Sequence, residues 1–381
     1  MGRAQPESTR IAIVGGGLAG FVAYQTLRYG GIEPSEIAVF DPDPDPVGAW
    51  RPRAAAIRQV RMRSESDGHC YPRSFPGLAP REAIRRFELT PLVQTACNRY
   101  RPSVDEFLRH VDELRGRSGW DESIVADRVE RVTAVAGGFE LQIGSGAAGR
   151  RTDRFRHVLL ALGHPGPAVP AELEADQRAV HAYEPHGYAR RVAVVGAGMA
   201  AATEWLNALE AGATVVSVRR REPLRRPLNL PRPLFSKRGL ARFHSTRPAE
   251  RGQVLAEISA PSYPPGRAWD DPLDRAAAEG RFRIAESVDG EDQVICATGF
   301  KRGYAHDPLL RRLVHEHELE THDRWVILAP DSTVSELTQD ARTLAVAGVH
   351  AQWAYPAADT LAGMKYTARR FLRRIESCHT P

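Results

Sequence analysis

The stretch Ile11-Ala-Ile-Val14-Gly15-Gly-Gly17-Leu-Ala-Gly20 constrains this chain more than any other. Its four apolar residues read as a strand buried on both faces, and three glycines follow at G-x-G-x-x-G spacing where a helix should begin. The glycines divide the mechanical work. Gly15 permits the tight turn, Gly17 lets a pyrophosphate approach bare backbone, and Gly20 lets the helix lie close on the strand. The helix start adds free N–H groups and a partial positive charge. Ile37 to Phe40 reads as the next strand, ending in Asp41 at the offset of about twenty residues where a carboxylate accepts the hydroxyls of an adenine ribose. Glycines alone would suit any sharp strand-to-helix turn. Strand, helix and acid together predict a dinucleotide seat, for NAD or FAD equally.

The device returns at Arg191-Val-Ala-Val-Val195-Gly196-Ala-Gly198-Met-Ala-Ala201, with Ala201 as the third small residue. A helix should run from about Met199 to Ala211, and Thr214 to Val218 reads as the following strand. That strand ends in Arg219, Arg220 and Arg221. An acid there accepts ribose hydroxyls, whereas an arginine accommodates a 2′-phosphate. The second site is therefore expected to take NADPH; the plainer alternative is an exposed basic turn. A simple dehydrogenase needs one such site, so two imply two dinucleotides on one chain.

At 381 residues the chain is long enough for two domains, or for one domain with another inserted. Cys70, Cys97, Cys296 and Cys378 form no C-x-x-C pair, which argues against a disulfide scaffold and against a dithiol reductase. The net charge of +5 is nearly all arginine, since Lys237, Lys301 and Lys365 are the only lysines. Arginine spread along the whole chain, without an aromatic-interleaved stripe, predicts no nucleic-acid partner. No apolar run approaches the eighteen or so residues of a membrane span. The N-terminus shows no basic flank before an apolar core, so the default expectation is a cytoplasmic protein without membrane association. Oligomeric state stays open.

Along the chain, Asp41-Pro-Asp-Pro-Asp-Pro-Val-Gly48-Ala-Trp50 reads as a loop beside the cofactor, because its prolines forbid helix and ladder alike. Residues 51–101 give no clear elements. Ser103 with Glu106 predicts a capped helix with Val104, Phe107, Leu108 and Val111 on its inner face. Ile124 to Val135 and Gly138 to Ile143 read as strands of a small antiparallel piece, joined past Gly144 to Gly149 to a buried strand from Phe155 to Leu162. Gly163 to Gly166 is a candidate hinge. Proline-rich sequence from Pro223 to Asp271 reads as irregular. Phe282 to Glu286, Gln293 to Ala297 and Thr343 to Val349 read as strands, and Asp359 or Thr360 should cap a last helix whose inner face is Leu361, Met364, Ala368 and Phe371.

Several of these residues carry a family resemblance. Two glycine fingerprints in this order resemble the two-dinucleotide-binding flavoproteins, and within them the flavin-containing and N-hydroxylating monooxygenases grouped as class B. Gly48-Ala-Trp50 is similar to that family's G-G-x-W, and Asp292-Gln-Val-Ile-Cys-Ala-Thr298-Gly299-Phe300 to its D-x-x-x-L-A-T-G-Y. Arg101-Pro-Ser103 with Glu106-Phe107 is similar to R-P-x-x-x-E-F of ornithine-type hydroxylases. The F-x-G-x-x-x-H fingerprint of flavin-containing and Baeyer–Villiger enzymes is absent; Val180-His-Ala-Tyr183 stands in its place.

The resemblance implies an α/β fold of two Rossmann-like domains, the second inserted in the first: residues 1–165 and 291–381 for FAD, 166–290 for NADPH. It implies a cofactor set of Gly15, Gly17, Gly20, Asp41 and Trp50, then Gly196, Gly198, Ala201, Arg219 and Arg220, and finally Thr298, Gly299, Asp359 and Thr360. It places Met62, Ser64, Glu65 and Asp67 under the flavin and His69 near substrate or NADP, although a polar surface loop would look the same. Trp353 and Tyr355 would line the pocket. The activity implied is NADPH-driven oxygenation of a small organic substrate by dioxygen, most simply at nitrogen or another heteroatom, through a C4a-hydroperoxyflavin and without a metal. The rival readings are an NAD(P)H-dependent flavin reductase that inserts no oxygen, and a cofactor-binding redox sensor.

Overall fold

Each apolar run leading into a glycine turn is the central strand of its own parallel sheet. In the computed structural model, which describes residues 10–62, 70, 77–97, 100–144, 149–226, 230–339 and 341–378, the first sheet runs Thr343–Val346, His157–Leu160, Ile11–Val14, Ile37–Phe40, Ile124–Val125. The second runs Phe282–Ala285, Thr214–Val218, Arg191–Val195, Gln293–Cys296, Ala179–His181. Both are wholly parallel, as βαβ connections require.

The continuous apolar runs follow from burial on both faces. Side chains alternate across a strand, so Ile11 and Ile13 join one core with Phe21, Phe107 and Phe371 of the covering helices. Ala12 and Val14 point the other way, toward Phe139 and Phe155. Those last two belong to an antiparallel meander of Val129–Val135, Gly138–Ile143 and Arg151–Phe155, which roofs the first sheet. The helices Leu18–Tyr29 and Leu361–Ser377 cover its other side. The second sheet divides in the same way, with Val192, Val194 and Trp205 on one face and Ala193, Val216 and Val294 on the other.

Several expectations need correction. Ile124–Val125 is no part of the meander: it pairs with Val39 and Phe40 at the edge of the first sheet, and residues 126–128 separate it from the strand that starts at Val129. Gln293–Cys296, assigned from sequence to the returning part of the first domain, pairs with Arg191–Val195 in the second sheet. Trp50 is not loop; it opens the helix Trp50–Ala56. The region without clear elements also holds helices Ala79–Arg86 and Thr90–Ala96.

The proline-rich stretch from Pro223 contains helices Lys237–Ser245, Pro248–Ile258 and Arg267–Ala278. Pro248 opens the second of these, where a proline's missing N–H is unpaired anyway, while Ser236 caps the first and Pro272 lies inside the third. Leu240, Phe243 and Leu255 of this excursion enter the same core as Trp353 and Ala354 of the first unit. His244 Nε2 donates to the Ala354 carbonyl at 2.6 Å, so the excursion reaches back onto the first sheet's return segment. Among the described residues no helix is long and apolar enough to cross a membrane, and no cluster of His, Cys, Asp and Glu could hold a metal.

Candidate functional site

The first glycine turn is fixed by close approach. Gly15 has φ +104°, and a Cβ there would stand 2.2 Å from the Ala161 carbonyl oxygen. A Cβ at Gly20 would stand 1.9 Å from the Gly15 carbonyl oxygen, so the helix Leu18–Tyr29 can lie on the turn only with glycine there. A Cβ at Gly17 would meet nothing within 4 Å. No side chain caps this helix start, so its first N–H groups open on space in front of Gly17. That is a cradle shaped for an anion lying on backbone.

Asp41 braces the turn from the next strand. Its Oδ2 accepts from the Gly16 N–H at 2.6 Å and its Oδ1 from Asp43 N–H at 2.9 Å. The proline-spaced aspartates repeat the second bond: Asp43 accepts from Asp45 N–H at 2.9 Å and Asp45 from Val47 N–H at 3.0 Å. Chained Asx turns thus hold the loop where prolines leave few backbone donors. The loop ends at Trp50, edge-on to Phe107 at 5.4 Å. A cavity of about 820 Å³ opens beside the turn, lined by Gly15, Asp41, Leu162, His164, Asp307 and Arg312 among others.

The second turn repeats the plan. Gly196 has φ +134°, and a Cβ there would stand 2.5 Å from the Ala297 carbonyl oxygen; at Gly198 only Pro261 Cα comes as near as 4.0 Å. The helix Met199–Glu210 also starts without a side-chain cap. Ala201 is fully buried beneath the turn. The arginines separate here: Arg219 lies over Trp205 with Cζ 5.8 Å from the ring and pairs with Glu222 at 3.0 Å. Arg220 points to solvent, paired with Glu172 at 2.7 Å. Of the two, Arg220 is the more exposed, and it would have to leave Glu172 to meet an incoming phosphate.

The strand ends that press on the two turns continue in parallel fashion. Ala161-Leu-Gly163-His164 leaves the first sheet and Ala297-Thr298-Gly299-Phe300 leaves the second, with Gly163 at φ +72° and Gly299 at +78°. His164 and Phe300 then stack on one another at 4.5 Å, and Tyr183 stacks on Phe300 at 4.9 Å. Thr298 Oγ1 donates to the Ala168 carbonyl, while Ala168 N–H donates to Gly299 O at 2.9 Å and Lys301 N–H to Gly166 O at 2.9 Å. The expected hinge is therefore a two-stranded ribbon formed by the outgoing and returning crossings. Burial, then Arg302, Arg53 and His350, push the His164 imidazole down to about 3.

At the last helix Thr360, not Asp359, is the cap, its Oγ1 accepting from Gly363 N–H at 3.2 Å. A Cβ at Gly363 would stand 2.0 Å from Ala357 O, so the first turn of the helix presses on the preceding loop. Burial raises the Asp359 carboxyl, with Arg302 opposing. His350 is buried, its Nε2 without a hydrogen-bond partner. Met62 packs in the core with Val47 and Leu361, and its N–H donates to Pro102 O at 2.9 Å. Ser64, Glu65, Asp67 and His69 lie outside the described residues. Trp353 and Tyr355 are buried, Tyr355 stacked on Tyr366 at 4.4 Å.

Sequence reading missed His164, Arg302 and His350. The signal for the first was present: A-x-G followed by an aromatic ring occurs at both crossings, and only its second copy was singled out.

No family model matches this chain, and no curated protein sequence matches it. Solved structures do. An ornithine N-hydroxylase from Kutzneria sp. 744, KtzI, superposes at TM-score 0.74 with 14% identity over 97% of this chain and 99% of that one. The ornithine hydroxylase PvdA from Pseudomonas aeruginosa gives 0.70 with 16% identity over 96% and 99%. Bacillithiol disulfide reductase Bdr from Bacillus cereus gives 0.57 with 16% identity over 97% and 99%. Such likeness shows the fold: a two-domain α/β architecture, shared from end to end.

Proposed function

We propose that this chain is an FAD-dependent, NADPH-consuming monooxygenase that oxygenates a small organic amine, or another heteroatom nucleophile, with dioxygen. The observation that carries the proposal is the pair of glycine turns with open second glycines and neighbours of opposite sign, Asp41 at one and Arg219 and Arg220 at the other. The full-length likeness to KtzI, whose structure contains reduced FAD, NADP+ and L-ornithine, supports the same reading. The weaker likeness to a disulfide reductase, and four cysteines all free, favour oxygenation over reduction.

In this reading Gly15, Gly17 and Gly20 receive the FAD pyrophosphate on backbone N–H groups, and Asp41 turns from the loop toward ribose hydroxyls. Gly196, Gly198 and Ala201 receive NADPH, with Arg220 toward its 2′-phosphate. Bound flavin would supply the two-electron chemistry, accepting hydride from NADPH and activating dioxygen. The chain's part is positioning and exclusion of water. His164 stays neutral, and the buried rings of Trp353 and Tyr355 help keep water out. Thr360 ends a helix whose N-terminal dipole favours negative charge in front of it. The balance is NADPH, a proton, dioxygen and substrate giving NADP+, water and oxygenated substrate.

The test is NADPH oxidation by the FAD-loaded protein under oxygen-18, with a panel of small amines. Amine-dependent oxidation with one labelled oxygen in the product is the expected result. Turnover at full rate without oxygen would sink the proposal in favour of a reductase.

A further inference from the structure

Several partly buried arginines of this chain lie against an acid: Arg28 against Glu33, Arg61 against Glu82, Arg81 against Glu106, Arg219 against Glu222. At the junction of the two units three arginines gather without such a partner. Among the described residues no carboxylate oxygen lies within 4.0 Å of Arg53, Arg302 or Arg324, though each is half-buried. Arg53 lies with Cζ 4.8 Å from the Phe300 ring centre, and Phe300 is the ring stacked on His164. Two residues on, Arg302 donates from Nη1 to Ser259 Oγ at 2.9 Å. A Cβ at Gly303 would stand 2.7 Å from Arg324 Cβ, so Arg302 and Arg324 leave adjoining backbone.

The nearby acids do not neutralise this group. Asp359 feels Arg302, yet burial keeps its carboxyl above the ordinary carboxylate range. Asp323, mostly exposed and 3.7 Å from His322, acts on Arg324 only from beyond ion-pair distance, and burial outweighs it. His164 Nδ1 is buried without a partner, in a ring held neutral. Guanidinium groups brought half out of water without a counter-ion are unfavourable in the free protein. Such an arrangement is expected where a ligand brings the missing charge, and arginine's planar fork matches carboxylate and phosphate alike.

We propose that Arg302 and Arg324, with Arg53 across Phe300, form an oxyanion subsite at the junction between the glycine turns. It takes a carboxylate or phosphate group carried by the molecule held there. The source is either the substrate or NADPH; only the choice of probes rests on the monooxygenase reading. None of the three arginines belongs to either glycine turn or to the basic turn at Arg219 and Arg220.

The test uses the full chain loaded with FAD, following the visible flavin spectrum during titration with NADP+, L-lysine and cadaverine, the last two differing only in the carboxylate. Arg302→Gln and Arg324→Gln should each weaken one oxyanion-bearing probe about ten- to hundredfold. A loss confined to L-lysine, with cadaverine unmoved, assigns the subsite to substrate; a loss confined to NADP+ assigns it to the cofactor. Arg302→Lys, which keeps charge but not the fork, should recover part of the affinity, and it carries the test with Arg324→Gln if Arg302→Gln does not retain FAD. Binding of both NADP+ and L-lysine within twofold of wild type, or no binding of L-lysine with NADP+ unchanged, overturns the proposal. These constants need no turnover, so absence of labelled product would count against the monooxygenase reading alone.

Discussion

Gly15 meets the Ala161 carbonyl and Gly196 meets the Ala297 carbonyl, each at positive φ, while Gly17 and Gly198 face open space. In backbone the two turns are copies. They part at the next strand, where the first offers a carboxylate already bonded to the loop at 2.6 Å and the second offers arginines, one tucked over Trp205 and one in solvent. Under the proposed function, the comparison assigns the choice of a dinucleotide to shape and the choice of which one to charge. A braced acid suits a resident cofactor; an exposed arginine suits one that comes and goes.

The largest way to break the comparison is a Cβ at the pressed glycines. Gly15→Ala should destabilise the fold by about 3 kcal/mol or more and leave protein that purifies without flavin. Gly196→Ala should keep its flavin and lose NADPH reduction, read by stopped-flow bleaching of the flavin band. Equal loss of flavin in both would erase the division of labour. At the open glycines the effect moves from folding to binding. Gly17→Ala should melt within about 0.5 kcal/mol of wild type yet bind FAD roughly tenfold or more weakly, and Gly198→Ala should do the same to NADPH. A large change in melting at Gly17 would show that the space is structural.

Asp41→Asn is expected to lose about 1–2 kcal/mol, through the charge-assisted bond to Gly16 N–H, with a matching fall in FAD retention on dilution. Arg220→Gln should raise KM for NADPH several-fold, at unchanged kcat and unchanged NADH kinetics. An equal effect on NADH would remove the 2′-phosphate role. The smallest effect is one of pH. His186 Nε2 donates to the buried Glu204 at 3.0 Å, and although burial alone lowers this imidazole, Glu204 and the Glu184 carbonyl leave it raised. Its stabilisation is therefore full below the unfolded value of about 6.5 and lost as pH rises through the higher folded value. Melting of the wild type should fall over that window, and Glu204→Gln should flatten it.

Both strand–turn–helix units were legible because their signals are local. Ile11 to Gly20 contains its own strand, turn and helix start, and Leu18–Tyr29 and Met199–Glu210 begin where the spacing places them. Ser103 was legible as a cap for the same reason, and the last helix start was legible to within one residue, Asp359 or Thr360. The helices around Pro233, Pro248 and Pro272 were not, since a proline reads as a breaker until the helix start beside it is known, and Pro272 even lies inside its helix, Arg267–Ala278. Ile124–Val125 was misplaced because a short apolar run does not say which sheet it will join.

What the sequence determined alone is what spacing can encode: two places where only glycine fits, a helix start behind each, and an acid or an arginine one strand away. The tertiary structure decided what depends on partners distant in the chain. It placed Gln293–Cys296 in the second sheet, packed the excursion of Leu240 and Phe243 onto Trp353, and brought Arg302 and Arg53 near the buried His164 and Arg302 near Arg324. The physical reason is range. Backbone sterics and capping act within a few residues, whereas burial, and the electrostatics that burial amplifies, exist only once remote segments have met.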